Sequence, residues 1–232
     1  MTKVLAVNGS PHKEDGNTSL ILKPFLEGMK EAGAEVDTIY TFSMELKSCT
    51  GEFICWGKTP GECYLEDDMD DIYPKLKEVE IVILATPVYI PLPGDFQKFL
   101  NRLCPILNPE LDFRNGRTRA KLRDDYNIKK FVLVATCGWW EIGNFDRLIQ
   151  IVRDIAEDAS VEFARPILRP HAHLMRKEGT LTEDGEEIIQ ELRKASNNLI
   201  SEGEIDKNTA DKISHPLVTF KEYMGVRPDE YS

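Results

Sequence analysis

Short apolar runs rich in β-branched residues alternate with amphipathic stretches, and this alternation constrains the fold more than any other feature of the chain. The apolar runs predict five strands, at residues 4–7, 36–40, 81–85, 131–135 and 161–168. The amphipathic stretches predict five helices, at residues 20–30, 69–77, 96–103, 145–157 and 186–200. Because continuously apolar strands are buried on both faces, the pattern predicts a parallel sheet between two layers of helices.

Five alternating units of this kind match the flavodoxin-like doubly wound α/β fold, in which the strand order is 2-1-3-4-5. Ligands of such folds bind at the carboxyl ends of the strands, close to the point where the strand order reverses. We therefore expect the loops after the first, third and fourth strands to form the functional site.

Three segments lie outside the five alternating units. We expect residues 1–203 to form one domain, with a cysteine-containing insertion at 49–66 and a basic connector at 105–130. The basic run of the connector is interpreted as a solvated loop that balances Asp124 and Asp125. Residues 204–232 form a C-terminal tail, in which residues 215–220 look extended and apolar. Such a tail needs cover from its own domain or from a neighbouring subunit, and we expect an oligomer contact.

Charge and hydropathy exclude several classes of protein. The net charge of −11 gives the chain no electrostatic reason to bind nucleic acid or an anionic membrane. No apolar run approaches the ~20 residues of a membrane span, and the N-terminus lacks a signal-peptide pattern. An odd number of cysteines, five, favours a reducing compartment and thiol or metal chemistry over a disulfide framework. We expect a cytoplasmic protein with no nucleic-acid or membrane partner.

The first strand leads into a loop and a helix start that suit a phosphate group. Helix starts have backbone N–H groups without partners, and the helix dipole favours negative charge there. The loop has neither G-x-x-x-x-G-K-[ST] nor G-x-G-x-x-G, so a phosphate monoester such as that of FMN fits better than a nucleoside triphosphate or a dinucleotide. The alternative is a surface turn followed by an ordinary N-cap at Asn17 or Thr18.

Two further loops suit a flat ring. The loop after the third strand is apolar and stiffened by prolines, which favours stacking and edge hydrogen bonds to a heteroaromatic ring, although a rigid connector has the same composition. The loop after the fourth strand carries Gly138, which allows close approach of the backbone. Next to it, Trp139 and Trp140 could wall a ring or fill a dimer contact.

Together these segments resemble the NADPH-dependent FMN reductase family. The resemblance rests on residues 9–13 and 16–19, on Asp67-Asp68-Met69, and on residues 86–89, which occur in this order. The cysteine-containing insertion before Asp67 resembles the iron–sulfur flavoprotein branch of that family. The resemblance implies a flavodoxin-like fold, FMN at the strand ends, and homodimers or homotetramers whose subunit contacts help to enclose the flavin.

On this basis the phosphate is expected to contact Ser10, His12, Lys13, Asn17, Thr18 and Ser19. The ring is expected to lie between Pro87, Val88, Tyr89 and Ile90 on one side and Thr136, Cys137 and Gly138 on the other. NAD(P)H would pass hydride to flavin N5, and electrons would continue to a small-molecule or small redox-protein acceptor. Because the flavin carries the chemistry, no catalytic side chain is predicted. The alternatives are an electron carrier without NAD(P)H activity of its own, and a thiol or metal sensor that has lost flavin.

The cysteine segment departs from the branch that it resembles, which carries C-x-x-C-x-x-C and a fourth cysteine that bind a [4Fe–4S] cluster. Here Glu52 stands where the second ligand would be, leaving Cys49, Cys55 and Cys63. Because such a cluster needs four thiolates, we predict that no stable [4Fe–4S] cluster is held; if one is present, these three cysteines are its ligands. Zinc with Glu52 as the fourth ligand is conceivable, but the spacing matches no usual zinc motif. Cys104, at the end of an amphipathic helix, is interpreted as a core residue, and His171 and His173, a pair without a third ligand, as structural.

Overall fold

A parallel sheet forms the centre of the protein, and the computed structural model describes it within residues 1–225. The strands of this sheet are β1 (Lys3–Asn8), β2 (Glu35–Tyr40), β3 (Ile81–Pro87), β6 (Lys130–Thr136), β7 (Glu162–Phe163) and β8 (Ile167–Arg169). The order is β2-β1-β3-β6-β7, and β8 also pairs with β6. Since β6 is the fourth and β7 with β8 the fifth strand of the doubly wound order, the predicted fold is confirmed.

The predicted fifth strand is the one strand whose continuity was predicted wrongly. Residues 161–168 form two short strands, because the chain leaves the sheet after Phe163 and returns at Ile167. Pro166 lies in this gap, and proline has no N–H group to donate to a neighbouring strand. Both short strands pair in parallel with β6, so together they still form the fifth strand of the sheet.

Helices cover both faces of the sheet. The helices of residues 1–225 are α1 (Asn17–Glu31), α2 (Ile54–Gly57), α3 (Met69–Glu78), α4 (Gly94–Asn101), α5 (Asp146–Ala159), α6 (Glu183–Ser201), α7 (Lys207–Ser214) and α8 (Phe220–Tyr223). One core joins α1 and α6 to Ala6 and Val132, and the other joins α3, α4 and α5 to Leu5 and Phe131. Apolar residues therefore occur on both faces of each central strand. Within residues 1–225, none of these helices has the length and apolar character needed to cross a membrane.

The connector at 105–130 is a β-hairpin rather than the solvated loop that the sequence suggested. Strand β4 (Leu107–Arg114) pairs with antiparallel strand β5 (Arg117–Leu122) through Asn115-Gly116, where both residues have positive φ. An Asn-Gly pair is a strong hairpin signal, which the composition-based interpretation overlooked. Arg119 on β5 binds Asp154, Glu157 and Asp158 of α5 at 3.0–3.2 Å, so it balances the carboxylates of a helix. Arg123 lies 3.8 Å from Asp125, so only part of the basic run balances the acidic pair named above.

Residues 204–225 of the tail contain two helices and pack on their own domain. Ile205 and Ile213 are buried in the core beside α6, and α8 follows an irregular segment at residues 215–219. The expectation that residues 215–220 are extended is therefore wrong, because residues 215–219 are irregular and Phe220 begins α8. The predicted tail also includes residues 226–232, which lie outside the described residues.

A buried ion pair fixes the cysteine-containing insertion to α4. The side chains of Arg102 and Asp67 are 1% and 3% exposed, with Nη1 and Oδ2 2.5 Å apart. Arg102 also donates to Lys47 O at 3.0 Å, on the other side of the insertion. Burial works against the charged form of Asp67, but the hydrogen bonds from Arg102 and from Lys47 N–H outweigh it and lower the pKa of this carboxyl. One guanidinium thus joins both ends of the segment.

Replacing Arg102 should destabilise the protein strongly. The Arg102→Ala variant leaves the Asp67 carboxylate buried without its cation, and we expect the free energy of unfolding to fall by about 3–5 kcal/mol. Urea denaturation measures this change. Arg117→Ala is the control, because Arg117 is 60% exposed in its ion pair with Asp154 and its loss should cost less than about 1 kcal/mol. Equal, small losses in the two variants would contradict the structural role of the buried pair.

Candidate functional site

The carboxyl ends of β1, β3 and β6 meet at one edge of the sheet, where their loops enclose a cavity of about 220 Å³. The cavity is lined by Ser10, His12, Asn17, Thr18, Pro87, Val88, Tyr89, Thr136, Cys137 and Gly138. Ten of the thirteen residues predicted to bind the cofactor are in this lining; Lys13, Ser19 and Ile90 are not. The structure thus brings three separate loops together, while the contact of each residue with a ligand stays a prediction.

Helix α1 begins at the cavity without a side-chain cap. Its N-cap is Gly16, and the first hydrogen bond of the helix is the one from Leu20 N to Gly16 O at 3.1 Å. A Cβ atom on Gly16 would lie 2.8 Å from His12 Cβ and 2.9 Å from Ser10 Oγ, so the loop can pass this closely only at a glycine. The cap is therefore not the side chain of Asn17 or Thr18. The backbone N–H groups of the first turn can instead serve an anion.

Buried polar side chains brace the loop that precedes α1. Asn8 accepts from Ser10 N at 2.8 Å and donates to Ser19 Oγ, also at 2.8 Å. Ser19 Oγ in turn donates to Lys13 O at 2.5 Å. The Ser19 hydroxyl thus braces the loop in this structure, and the predicted contact of Ser19 with a phosphate stays a prediction. Sequence reasoning missed Asn8, although its position directly after an apolar strand was visible.

A second set of bonds ties the three loops to one another. Thr18 Oγ1 and Thr136 Oγ1 are 3.1 Å apart and buried, which links the start of α1 to the end of β6. Val88 N donates to Thr136 O at 2.7 Å, so the loop after β3 is fixed to the same residue. The ring of Phe96 on α4 packs against Gly9. A Cβ atom on Gly9 would lie only 2.3 Å from this ring, so the glycine allows α4 to lie close to the first loop. The cavity is therefore held by contacts between loops as well as within them.

The cavity carries no carboxylate, and its thiol is neutral. Neither Asp nor Glu occurs in the lining, which suits an anionic ligand. Burial raises the pKa of Cys137 to about 11, and its Sγ lies 3.4 Å from Trp139 O. This thiol is protonated at neutral pH and is no activated nucleophile. At the rim, Tyr89 is 48% exposed and Ile90 95% exposed.

A larger cavity of about 790 Å³ lies between α6 and the tail and shares no lining residue with the cavity at the strand ends. Carboxylates dominate its charged lining, which holds Asp184, Glu187, Glu191 and Asp211 as well as Lys212 and His215. Lys212 is already bound to Glu191 at 2.6 Å. This cleft would repel a phosphate-bearing cofactor, so size alone does not mark the functional site.

The cysteine segment places two sulfurs together that are distant in the sequence. Cys55 Sγ lies 3.8 Å from Cys104 Sγ, and Trp56 Nε1 donates to Cys104 O at 3.0 Å. Cys104 is therefore a thiol neighbour of the segment, and its interpretation as a core residue alone is corrected. Burial, followed by the neighbouring Cys55, raises the pKa of Cys104 to about 12.

The arrangement of these thiols does not fit an iron–sulfur cluster. Over residues 1–225, no group of three or more Cys, His, Asp or Glu side chains has the geometry to hold a metal ion. Cys49 is exposed, and the carboxylate of Glu52 is bound to Thr50 Oγ1. We derive no reaction step through a cluster, and the expectation that no stable cluster is held stays a prediction.

Of the two histidines near the end of β8, His171 is held in place by the tail, and the interpretation of the pair as structural stays a prediction. His171 is fully buried, and its Nε2 accepts from Leu217 N at 3.0 Å. The proton of the neutral ring is therefore on Nδ1, for which residues 1–225 offer no acceptor. Burial, with a smaller effect of Arg169 and His173, lowers the pKa of His171 to about 4. Sequence reasoning missed Arg169, which is fully buried beside it.

A protein-family model and two relatives match parts of this chain. The model of the family "NADPH-dependent FMN reductase" matches residues 2–143, which include the loops after β1, β3 and β6. An iron-sulfur flavoprotein of Methanocaldococcus jannaschii is 40% identical over 87 residues, 38% of this chain and 44% of that protein. Another, from Archaeoglobus fulgidus, is 36% identical over 104 residues, 44% of this chain and 46% of that protein. The chain thus spans less than half the length of both relatives.

Solved structures share the fold at low sequence identity. An NAD(P)H:quinone oxidoreductase from Methanothermobacter marburgensis aligns with a TM-score of 0.65 and 15% identity, covering 85% of this chain and 98% of that one. An FMN-dependent NADH-azoreductase from Bacillus anthracis, solved in complex with FMN, has a TM-score of 0.57 and 14% identity, with 87% and 99% coverage. At these identities the likeness establishes the flavodoxin-like fold and no more.

The buried neutral state of His171 should make stability depend on pH. Its folded pKa of about 4 lies below the ordinary value of 6.5, so between these values the unfolded chain binds a proton that the folded protein does not. The stability that the neutral His171 ring contributes is fully present above pH 6.5 and is lost as the pH falls toward 4. Between pH 7 and pH 5 it should remove about 2 kcal/mol of unfolding free energy.

Urea denaturation of the wild type and His171→Gln at the two pH values measures this contribution. The variant keeps an acceptor for Leu217 N but cannot be protonated, so its stability should change less on acidification. His215→Gln, at an exposed histidine, is the control and should keep the wild-type pH dependence. If His171→Gln loses as much stability on acidification as the wild type, His171 is not the responsible group.

Proposed function

The chain belongs to the NADPH-dependent FMN reductase family, and from this premise we propose that it binds FMN at the strand ends and acts as an NAD(P)H-dependent flavin oxidoreductase. One observation carries the proposal. The uncapped start of α1 and two loops suited to a planar ring line a single cavity that contains no carboxylate. The names of the relatives, which are flavoproteins, and of the fold neighbours, which are quinone and azo reductases, support it.

In this proposal the start of α1 holds the phosphate. The first-turn N–H groups and the hydroxyls of Ser10 and Thr18 supply the donors, and the helix dipole adds to their attraction. His12 is exposed at the same loop and can contribute a further donor. Asn8 and Ser19 keep this loop in place through their buried hydrogen bonds and need not touch the ligand.

The two remaining loops orient the ring. Pro87, Val88 and Tyr89 lie on one side of the cavity, and Thr136, Cys137 and Gly138 lie on the other. Bound FMN would supply the capacity to accept hydride from NAD(P)H and to pass electrons to an acceptor. The protein contributes binding and orientation, and Cys137 stays protonated at neutral pH and takes no proton. No side chain of the cavity is therefore assigned a general acid or base role.

The second candidate function is an electron carrier without NAD(P)H activity of its own. It is favoured by the names of the relatives, which are iron-sulfur flavoproteins, and by the cysteine-containing segment. Steady-state oxidation of NADH and NADPH by the FMN-loaded protein, with a quinone as acceptor, separates the two functions. A protein that binds FMN tightly but does not oxidise either nucleotide is the carrier.

Removing two hydroxyls at the phosphate loop should weaken FMN. The double variant Ser10→Ala, Thr18→Val loses two donors to a charged phosphate, each of which contributes on the order of 1.5–3 kcal/mol. We expect FMN to bind at least tenfold more weakly, measured by quenching of flavin fluorescence on titration with apoprotein. Thr38→Val on β2, which changes a hydroxyl away from the cavity, should leave the affinity unchanged. An unaltered affinity in the folded double variant would remove the phosphate assignment.

We also propose that a second copy of the chain covers the mouth of the cavity. Tyr89, Ile90, Trp139 and Ile142 are 48–95% exposed in the loops that border the cavity, and such apolar surface favours an interface. Trp140 does not contribute, because the tail of its own chain covers it.

Charge introduced at this surface should separate the subunits. Ile90→Glu combined with Trp139→Glu places two carboxylates in the proposed interface, and we expect a smaller particle in sedimentation velocity. Phe113→Glu is the matched control, because Phe113 is 72% exposed on the hairpin and outside this surface. The proposal fails if the double variant sediments like the wild type, or if the wild type is already a monomer.

A further inference from the structure

The C-terminal tail crosses the ends of β6 and β8, and a buried arginine fixes its beginning. Arg169 is fully buried and donates to Ile213 O at 2.6 Å and to His215 O at 2.8 Å. Burial lowers the pKa of Arg169 to about 10, so the guanidinium is still charged at neutral pH. Because hydrogen bonds from a charged donor are strong, this part of the tail has a fixed position.

The next contacts of the tail are with residues that also touch the loop after β6. His171 accepts from Leu217 N through its ring, and its backbone N–H donates to Trp139 O at 3.1 Å. Trp140 Nε1 donates to Val218 O at 2.9 Å, and the ring of Trp140 packs edge-on against Phe220 with centroids 5.4 Å apart. The tail and the loop after β6 therefore form one packed unit.

The last described helix places a tyrosine against the cavity wall. Helix α8 begins with a capping box, in which Thr219 and Glu222 bind each other's backbone N–H groups. Tyr223, on this helix, is 8% exposed, and its hydroxyl donates to Gly138 O at 2.8 Å. Gly138 itself lines the cavity.

The bond to Gly138 O determines the orientation of a whole peptide group. In a trans peptide the C=O and the following N–H lie in one plane and point in opposite directions. Holding Gly138 O therefore also sets the direction of Trp139 N–H. Glycine has wide conformational freedom, so the loop needs an external contact at this position to keep one orientation.

We propose that Tyr223 is a positioning residue of the flavin site, whose hydroxyl fixes the Gly138–Trp139 peptide and with it the cavity wall formed by Thr136, Cys137 and Gly138. The inference rests on the proposed function, because it assigns the tail a role in holding FMN. It gives the tail a role within its own chain, beside the oligomer contact that the sequence suggested, which stays a prediction.

Full-length Tyr223→Phe tests this role, since it removes the hydroxyl and keeps the ring. Loss of one hydrogen bond that orders the wall should weaken FMN about three- to tenfold and change the absorption band of the saturated complex. In the apoprotein, amide hydrogen exchange at His171, whose N–H donates to Trp139 O, should be faster. Tyr126→Phe is the matched control: Tyr126 is 7% exposed, and its hydroxyl has no partner within residues 1–225. It should keep wild-type FMN affinity, spectrum and exchange.

Trp140→Phe is a second variant, which loses the bond to Val218 O and should weaken FMN in the same direction. If Tyr223→Phe lowers the thermal stability but keeps the wild-type FMN affinity and spectrum, its role is structural only and the inference is overturned. If the wild type itself does not bind FMN, the proposed function and this role both fall, whatever the exchange experiment gives. Faster exchange together with weaker FMN in Tyr223→Phe, and neither change in Tyr126→Phe, supports the inference.

Discussion

Burial of the central strands on both faces is the constraint on which the rest of the structure depends. Leu5 and Val7 point into one core and Val4 and Ala6 into the other, so β1 is stable only between two layers of helices. Helical crossovers of this kind make neighbouring strands parallel. Parallel strands end at a common edge. The topology of the sheet is therefore enough to bring the loops after β1, β3 and β6 together there.

Buried hydrogen bonds then turn this meeting of loops into a cavity with a definite shape. Asn8 and Ser19 hold the first loop, and Thr18 and Thr136 join it to the end of β6. A buried polar group is costly unless it is paired, so alternative arrangements of these loops are disfavoured. The side chains that brace the loops leave the first-turn amides of α1 without a side-chain cap, which is the property that an anionic ligand requires.

Each of two segments outside the alternating units is held by one buried arginine. Arg102 binds Asp67, Lys47 O and Leu65 O around the base of the cysteine-containing insertion. Arg169 binds Pro170 O, Ile213 O and His215 O at the start of the tail. A guanidinium presents five donors in a rigid fork, so one side chain can join backbone carbonyls from distant parts of the chain. Irregular segments thereby keep a fixed position beside a regular sheet.

Local periodicity determined the strands of the central sheet apart from the break in the fifth, five of the eight helices of residues 1–225 and, through their alternation, the edge of the sheet at which the cavity lies. The Asn115-Gly116 turn was equally visible in the sequence, and only the interpretation missed it. The tertiary structure alone decided which distant groups meet: Cys55 with Cys104, Arg102 with Asp67, and Tyr223 with Gly138. These pairs are separated by 35 to 85 residues, and no local pattern encodes them. They depend on the angle and distance at which whole helices pack, which only the complete set of buried contacts fixes.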